Sequence, residues 1–255
     1  MSFFESELHL AYKLGNNPIN SFPFPHLFVQ DIFSDTFYSQ IQKNLPDQNL
    51  LTSMPELYPE EPGFEDYKDR YVMDLVREES INKIEKDKQE FWRGLGDNFQ
   101  NGKLSDLLRN KFQYYLNMRF KLIDNVRFLS EIKLINDRKN NALNPHTEHP
   151  RKVVSVIFNL PTDLSQKVSG TSIYIPKDLN FIAQNKEYKH YPHEYFHKVI
   201  TMPFVHNSAF CFIKTNNSFH GVEKTEMEDI DRWTLQFDIF LDKESYLREE
   251  EAKTK

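Results

Sequence analysis

The sequence predicts an α+β fold, with helices in the first half of the chain and an antiparallel β sandwich or barrel in the second. In the first half, apolar residues such as Leu104, Leu108 and Phe112 recur at helical spacing. In the second half, short β-rich runs alternate with Pro, Gly and Asn turn signals. Because helices and strands are segregated along the chain, an α+β domain is favoured over an alternating α/β fold.

Local signals identify two elements near the N-terminus. Residues 22–29 predict an edge strand interrupted by prolines, because proline cannot donate a backbone hydrogen bond within a sheet. Ser34 is the expected N-cap of a helix that carries Phe37 and Ile41 on one face and ends at Pro46.

The middle of the first half combines an irregular stretch with a polar helix. Residues 55–67 are rich in acidic residues and proline, which predicts a loop. The stretch 56–70 is a candidate lid, with a plain solvated connection as the equal alternative. Residues 78–92 predict a polar helix that is broken near Gly94 and Gly96.

The second half contains seven predicted strands separated by turn residues. They are the runs 126–135, 153–160, 171–175, 198–202, 208–213, 220–222 and 233–240. The last residues, 243–255, predict a charged helix that frays into a solvated tail.

Composition favours one large domain and excludes some classes of partner. The chain has 255 residues, of which 39% are hydrophobic, enough to build a substantial core. The net charge of -6 gives no reason to expect nucleic acid as a partner. Cys211 is the single cysteine and lies in an apolar run, so we expect a buried thiol and no internal disulfide. No export signal and no apolar run of about 18–20 residues is evident, which predicts a soluble cytoplasmic protein without a membrane partner.

The strongest chemical signal is a set of potential metal ligands. On an extended segment the side chains of His146 and Glu148 point to the same face, because the side-chain period is two. His220 opens a later strand that can lie opposite them. Two histidines and one carboxylate form the facial triad of non-haem Fe(II) oxygenases. Arg232 opens the last strand, where its guanidinium could grip the far carboxylate of a 2-oxo acid cosubstrate.

Each of these residues also has a plain structural interpretation. A single histidine in a chain with nine is more often a surface or core residue than a ligand. Arg232 could form a salt bridge with Asp229 or Asp231 at a strand edge. The combination of the residues, rather than any one of them, favours a metal site.

Five segments together resemble the 2-oxoglutarate- and Fe(II)-dependent oxygenase superfamily, in particular its prolyl-hydroxylase-like branch. These segments are 144–148, 154–160, 170–174, 217–222 and 232–235. The resemblance implies one oxygenase domain over residues 1–255 with a double-stranded β-helix (jelly roll) core at 126–242. Residues 1–125 would form mainly helical support and a possible lid, and 243–255 a charged tail.

The resemblance also implies a site and a reaction. His146, Glu148 and His220 match the metal ligands, although most of this branch carries Asp in place of the glutamate. Arg232 matches the residue that binds 2-oxoglutarate, and Ser155 falls where the family often has a hydroxyl near the cosubstrate. The implied enzyme is a dioxygenase that hydroxylates a small molecule and uses Fe(II), O2 and 2-oxoglutarate. Two alternatives stay open: a cupin-like metal enzyme that does not use 2-oxoglutarate, and a jelly-roll binding module with a degenerate metal site.

Other charged residues carry weaker predictions. The cluster of His190, His193 and His197 predicts a loop near the mouth of the site rather than a second metal, with His193 as a candidate substrate contact. Arg70 is a second candidate for an anionic group of the substrate. Lys152, beside the first ligands, is expected to be an ordinary solvated charge, with attraction of an anionic substrate as the alternative.

Overall fold

The computed structural model describes residues 3–60, 67–138, 142–163, 170–183, 190–224 and 231–254. Its helices are α1 (Phe3–Asn16), α2 (Asp35–Lys43), α3 (Met54–Leu57), α4 (Glu78–Ile81), α5 (Lys86–Asn101), α6 (Leu104–Lys111), α7 (Gln113–Arg119) and α8 (Lys243–Lys253). Its strands are β1 (His26–Gln30), β2 (Thr52–Ser53), β3 (Arg70–Asp74), β4 (Phe128–Asp137), β5 (Leu143–His146), β6 (Lys152–Asn159), β7 (Thr171–Pro176), β8 (Phe196–Met202), β9 (Ser208–Ile213), β10 (His220–Val222) and β11 (Arg232–Leu241).

The strands form two antiparallel sheets. The larger has seven strands in the order β1-β9-β6-β11-β4-β3-β2, and the smaller has four in the order β5-β10-β7-β8. This arrangement confirms the predicted α+β class with a jelly-roll core. The first part of the chain supplies more than helices, because β1, β2 and β3 extend the larger sheet at its two edges.

The two faces of the larger sheet differ in chemistry, as β11 shows. One set of alternate residues joins the main hydrophobic core with the helices: Trp233, Leu235, Phe237, Ile239 and Leu241. The other set lines an internal cavity: Arg232, Thr234, Gln236, Asp238 and Phe240. The core therefore lies between the helices and the outer face of the sheet, and the inner face is left for polar chemistry.

Helix α5 runs through the two glycines at which a break was predicted, so that prediction was wrong. A Cβ at Gly94 would lie 2.7 Å from the ring of Phe3, and one at Gly96 would lie 2.8 Å from the carbonyl oxygen of Leu75. The glycines allow close approach of neighbouring segments, and the buried Trp92 and Phe99 keep the helix on the sheet.

Two local predictions near the N-terminus are confirmed. The Ser34 hydroxyl accepts a hydrogen bond from the backbone N–H of Phe37 at 3.4 Å, and α2 ends at Lys43. Strand β1 lies at the edge of the larger sheet and pairs with β9. Cys211 is fully buried, as expected.

The predicted charged helix near the end of the chain is present as α8, but it is docked on the domain rather than solvated. Asp242 caps α8 at the backbone N–H of Ser245, and the side chains of Ser245 and Glu249 are buried. Both carboxylate oxygens of Glu249 accept hydrogen bonds from Arg119, at 2.9 and 3.0 Å. Arg119 also donates to the carbonyl oxygens of Pro150 and Lys152, so α8 is tied to the segment that begins β6. None of the helices in the described ranges has the length and apolar composition needed to cross a bilayer.

Candidate metal centre

The three predicted ligands converge on one buried point. His146 ends β5, Glu148 follows two residues later, and His220 opens β10. In the antiparallel pairing of β10 with β5, His220 lies opposite His146. One potential ligand atom from each residue lies within 4.8 Å of the other two, and all three side chains are buried. The strand pairing thus brings together residues that are far apart in the sequence.

Backbone contacts orient both imidazoles for metal binding. The Nδ1 of His146 lies 2.8 Å from the carbonyl oxygen of Asn144, and the Nδ1 of His220 lies 2.9 Å from that of Ser218. A carbonyl accepts but cannot donate, so each Nδ1 carries the proton and each Nε2 presents a lone pair. Metal-binding histidines are commonly oriented in this way.

The electrostatics also keep His146 and Glu148 in their metal-binding forms. Burial, together with the neighbouring His220 and His190, holds the pKa of His146 well below its usual value. Burial raises the pKa of Glu148, but the charge of Lys152 and the neighbouring His220 outweigh it, and the pKa lies well below its usual value. A neutral imidazole and an ionised carboxylate can bind a metal without first losing a proton.

Aromatic residues surround the two histidines. The ring of His190 stacks on that of His146, with centroids 4.6 Å apart and an interplanar angle of 18°. The Nε2 of His190 lies 2.6 Å from the hydroxyl of Tyr67, and Phe212 packs against His220 with centroids 4.5 Å apart. Of the three clustered histidines, His190 is therefore the one that contacts a candidate metal ligand.

His193, the member of the cluster predicted to contact substrate, is exposed. It begins a short 3₁₀ turn, His193–Tyr195, and packs against the ring of Tyr174 at a centroid distance of 5.5 Å. It is not among the residues that line the cavity described below. Part of the candidate lid, residues 61–66, lies outside the described residues.

The side chain of Lys152 is only 12% exposed and is paired with two carboxylates, so the expectation of an ordinary solvated charge was wrong. Its Nζ lies 2.9 Å from Oε2 of Glu148 and 3.0 Å from Oδ2 of Asp238. The hydroxyl of Ser155 donates to Oδ1 of Asp238 at 2.6 Å. Ser155 does not line the cavity. Its hydrogen bond helps to orient the carboxylate of Asp238.

Arg232 lies at the cavity wall and pairs with a residue that was not expected from the sequence. Its Nη1 donates to Oδ2 of Asp137 at 2.8 Å. Arg70 binds the same carboxylate through Nε and Nη2, at 2.6 and 2.9 Å. Of the two acids expected as partners, Asp231 accepts hydrogen bonds from Trp233 and Asn136, and residue 229 lies outside the described residues.

A cavity of about 240 Å³ joins these groups between the two sheets. The metal-ligand side contributes His146, Glu148, His220 and Lys152, and the opposite end contributes Arg70 and Arg232. The remaining wall is mixed in polarity and includes Met54, Tyr58, Tyr67, Val72, Glu131, Lys133, Ile135, Leu143, Ile157, Thr171, Gln236, Asp238 and Phe240. The wall therefore offers both charged and apolar groups to a ligand.

Sequence reasoning missed several residues of this site. Asp137, Asp238 and Tyr67 have no motif around them. The alternation of side chains in β11 was a usable signal, because the polar Gln236 and Asp238 lie on one face of a strand whose other face is apolar. Polar side chains on the buried face of a strand indicate either a buried network or a ligand.

Comparison with known proteins identifies the fold. No family model matches the sequence, and no curated protein sequence matches it either. Among solved structures, the chain is similar to the non-haem alpha ketoglutarate dependent epimerase SnoN from nogalamycin biosynthesis, with a TM-score of 0.50 and 9% identity over 92% of this chain and 80% of that chain.

Two further solved structures are similar at a lower TM-score of 0.43. One is a prolyl-4-hydroxylase from Pseudomonas putida, 10% identical over 91% of this chain and 98% of that chain. The other is HygX from Streptomyces hygroscopicus with nickel and 2-oxoglutarate bound, 11% identical over 84% of this chain and 82% of that chain. At these identities the fold is what is shared. It is the jelly-roll fold found in 2-oxoglutarate- and Fe(II)-dependent oxygenases.

Proposed function

We propose that the chain is a 2-oxoglutarate-dependent Fe(II) oxygenase that hydroxylates a small molecule with O2 and releases succinate and CO2. The observation that carries the proposal is the convergence of His146, Glu148 and His220 at the wall of a buried cavity. This ligand set is typical of non-haem Fe(II) oxygenases, in which it leaves coordination positions open. The shared fold with SnoN, a non-haem alpha ketoglutarate dependent epimerase, supports the class of metal and cosubstrate.

The residues present fit Fe(II). Both Nε2 atoms carry lone pairs, because each Nδ1 donates to a backbone carbonyl, and the carboxylate is ionised. Nitrogen and oxygen ligands without thiolate suit an iron that must also bind an oxo acid and oxygen. Iron, 2-oxoglutarate and O2 would supply the oxidation, while the protein supplies the ligands and a cavity that orients the reactants.

Arg232 is the proposed anchor for the distal carboxylate of 2-oxoglutarate. It lines the same cavity as the ligands. Arg70, Arg232 and Asp137 together carry a net charge of +1, from two guanidinium groups and one carboxylate. A further carboxylate beside them would gain charge-assisted hydrogen bonds. Arg70 would act with Arg232 at this end of the cavity, rather than on the substrate.

The rest of the cavity would hold the substrate. Tyr58 and Tyr67, from the first part of the chain, line the cavity together with residues of the jelly roll such as Phe240. Glu131 and Lys133 add a charged pair, with Lys133 Nζ 2.6 Å from a carboxylate oxygen of Glu131. We infer that residues 1–125 complete the site and that the chain acts as one oxygenase domain on a small molecule with both polar and apolar groups.

The proposal is tested by calorimetry under anaerobic conditions. Mn(II) is titrated into the protein, and 2-oxoglutarate is then titrated into the Mn(II)-loaded protein. Arg232→Met should keep Mn(II) binding and weaken 2-oxoglutarate binding by about 30-fold or more, the loss typical of removing a buried charge contact. Arg77→Met is the matched control, because Arg77 pairs with Asp74 and does not line the cavity. Iron-dependent succinate formation in air then tests the reaction.

One observation favours a second candidate, a metal enzyme of the same fold that does not use 2-oxoglutarate. Arg232 is already bound by Asp137 at 2.8 Å. Mn(II) binding without any binding of 2-oxoglutarate would favour this candidate. Absence of Mn(II) binding would reject both enzymes and favour a binding module.

A further inference from the structure

The two oxygens of the Glu148 carboxylate face different groups. Oε2 lies 2.9 Å from the ammonium group of Lys152. Oε1 lies 3.4 Å from Nε2 of His220, on the side where the three ligand atoms meet. One oxygen is therefore held by a cation of the protein, and the other is presented to a metal.

Lys152 is held in place from several sides. Its ammonium group also binds Oδ2 of Asp238 at 3.0 Å, and Asp238 is fixed in turn by Ser155 at 2.6 Å and Gln236 at 3.0 Å. Its backbone carbonyl accepts a hydrogen bond from Arg119 at 2.8 Å. A lysine with two carboxylate partners and an anchored backbone cannot move away without leaving buried charges unpaired.

The ammonium group of Lys152 has three donors, and the two carboxylates use two of them. One is directed to Oε2 of Glu148 and the other to Oδ2 of Asp238.

We propose that Lys152 is a positioning residue that restricts Glu148 to binding a metal through Oε1 alone. A carboxylate can bind a metal through one oxygen or through both. Glutamate has a longer and more flexible arm than aspartate, so a second constraint is needed to fix its orientation. With Oε2 held by Lys152, the coordination position that this oxygen would occupy stays open for an exogenous ligand. The inference rests on the proposed metal site.

The test counts the water molecules on bound Mn(II) through water-proton relaxation. Three protein ligands on a six-coordinate ion predict about three bound waters in the unaltered protein. In Lys152→Met, Oε2 is released and should also bind the metal, which lowers the number to about two. Mn(II) affinity should be retained or increased, because a cation has been removed from beside the metal.

Two further variants make the result specific. Lys133→Met is the matched control, since Lys133 lines the same cavity and pairs with Glu131 rather than with a ligand; its bound-water number should equal that of the unaltered protein. Lys152→Arg keeps a cation that can donate to both carboxylates and should restore about three waters.

The outcomes separate this inference from the proposed metal site. If Lys152→Met folds poorly in thermal melting, Lys152→Met combined with Asp238→Asn removes the unpaired charge and keeps an acceptor for Ser155. A bound-water number that stays at about three in these variants, or a loss of Mn(II) affinity without a change in that number, would overturn the positioning role and leave the metal site standing. Failure of the unaltered protein to bind Mn(II) would reject both.

Discussion

Arg70 and Arg232 flank one carboxylate, that of Asp137, from neighbouring strands on either side. Both arginines are direct cross-strand partners of Asp137, in β3 and β11 respectively. All three side chains are buried. The cluster therefore joins the strand contributed by the first part of the chain to the jelly roll, at the end of the cavity away from Lys152.

This cluster predicts a pH-dependent contribution to stability. Burial raises the pKa of Asp137, but the two arginines outweigh it, and its pKa lies below the usual value. The carboxylate then stabilises the folded state above the unfolded pKa of about 3.9, and this stabilisation is lost as the pH falls through the lower folded pKa.

Asp137→Asn should therefore lower the free energy of unfolding at neutral pH by about 3–5 kcal/mol, because two buried cations lose their partner. In urea denaturation the difference from the unaltered protein should shrink as the pH is lowered below about 3.9. Glu78→Gln serves as the control, because Glu78 pairs with Arg93 at the exposed surface; it should show little change. A pH-independent difference for Asp137→Asn would contradict the electrostatic explanation.

Removal of one histidine ligand should remove metal binding. His220→Ala is expected to weaken Mn(II) binding in calorimetry by at least about 100-fold, more than the effect of altering a residue that only orients a ligand. The exposed His193 provides the control, and His193→Ala should bind Mn(II) like the unaltered protein. Equal Mn(II) affinity in His220→Ala would show that the three residues do not share a metal.

Alanine substitutions at two glycines are expected to have opposite effects on stability, because Gly96 is closely packed and Gly15 is not. Gly96→Ala places a methyl group 2.8 Å from the backbone carbonyl of Leu75 and should lower stability by about 1–3 kcal/mol. Gly15→Ala, in α1, meets nothing within 4 Å and should raise stability by about 0.4–1 kcal/mol. Thermal melting of both variants measures the contrast, and a stabilised Gly96→Ala protein would show that the helix can shift away from Leu75.

The ion pair between Arg119 in α7 and Glu249 in α8 is expected to stabilise the folded protein. Arg119→Met leaves the buried carboxylate of Glu249 with Lys253, 3.3 Å from Oε1, as its remaining cation and should lower stability by about 1–3 kcal/mol in chemical denaturation. Exposed Arg127, which pairs with Glu244, provides a control, and Arg127→Met should have little effect. Similar losses in both variants would indicate that burial of the pair is unimportant.

The candidate metal centre could be predicted from the sequence because two of its three residues are close together in the chain. The separation of His146 from Glu148 fixes a shared face, and the strand opened by His220 fits any antiparallel sandwich. The pattern of short strands predicted an antiparallel sandwich or barrel, and the resemblance to the oxygenase superfamily implied the jelly roll. Three strands were not predicted: β2 has only two residues, β3 lies beside a stretch that was predicted to be a loop, and β5 contains a proline at position 145.

The supporting residues could not be predicted because each depends on a partner that is distant in the sequence. Lys152 looks like any charged residue at a strand start until Asp238 and Glu148 are brought beside it. Likewise Arg232 has two nearby acids in the sequence, yet the residue that binds it is Asp137, in a strand that precedes it by many residues. The pairing of Arg232 with Asp137 becomes evident only from the register of β11 with β4.

The docking of α8 through Arg119 has a practical consequence for handling the protein. Arg119 binds Glu249 and the carbonyl oxygens of Pro150 and Lys152, so α8 helps to fix the backbone that follows the candidate metal ligand Glu148. Carrier proteins or affinity handles fused directly behind α8 would pull on that connection. A handle placed ahead of α1 leaves it untouched, and preparations made in the two ways are expected to differ in how completely they load with metal.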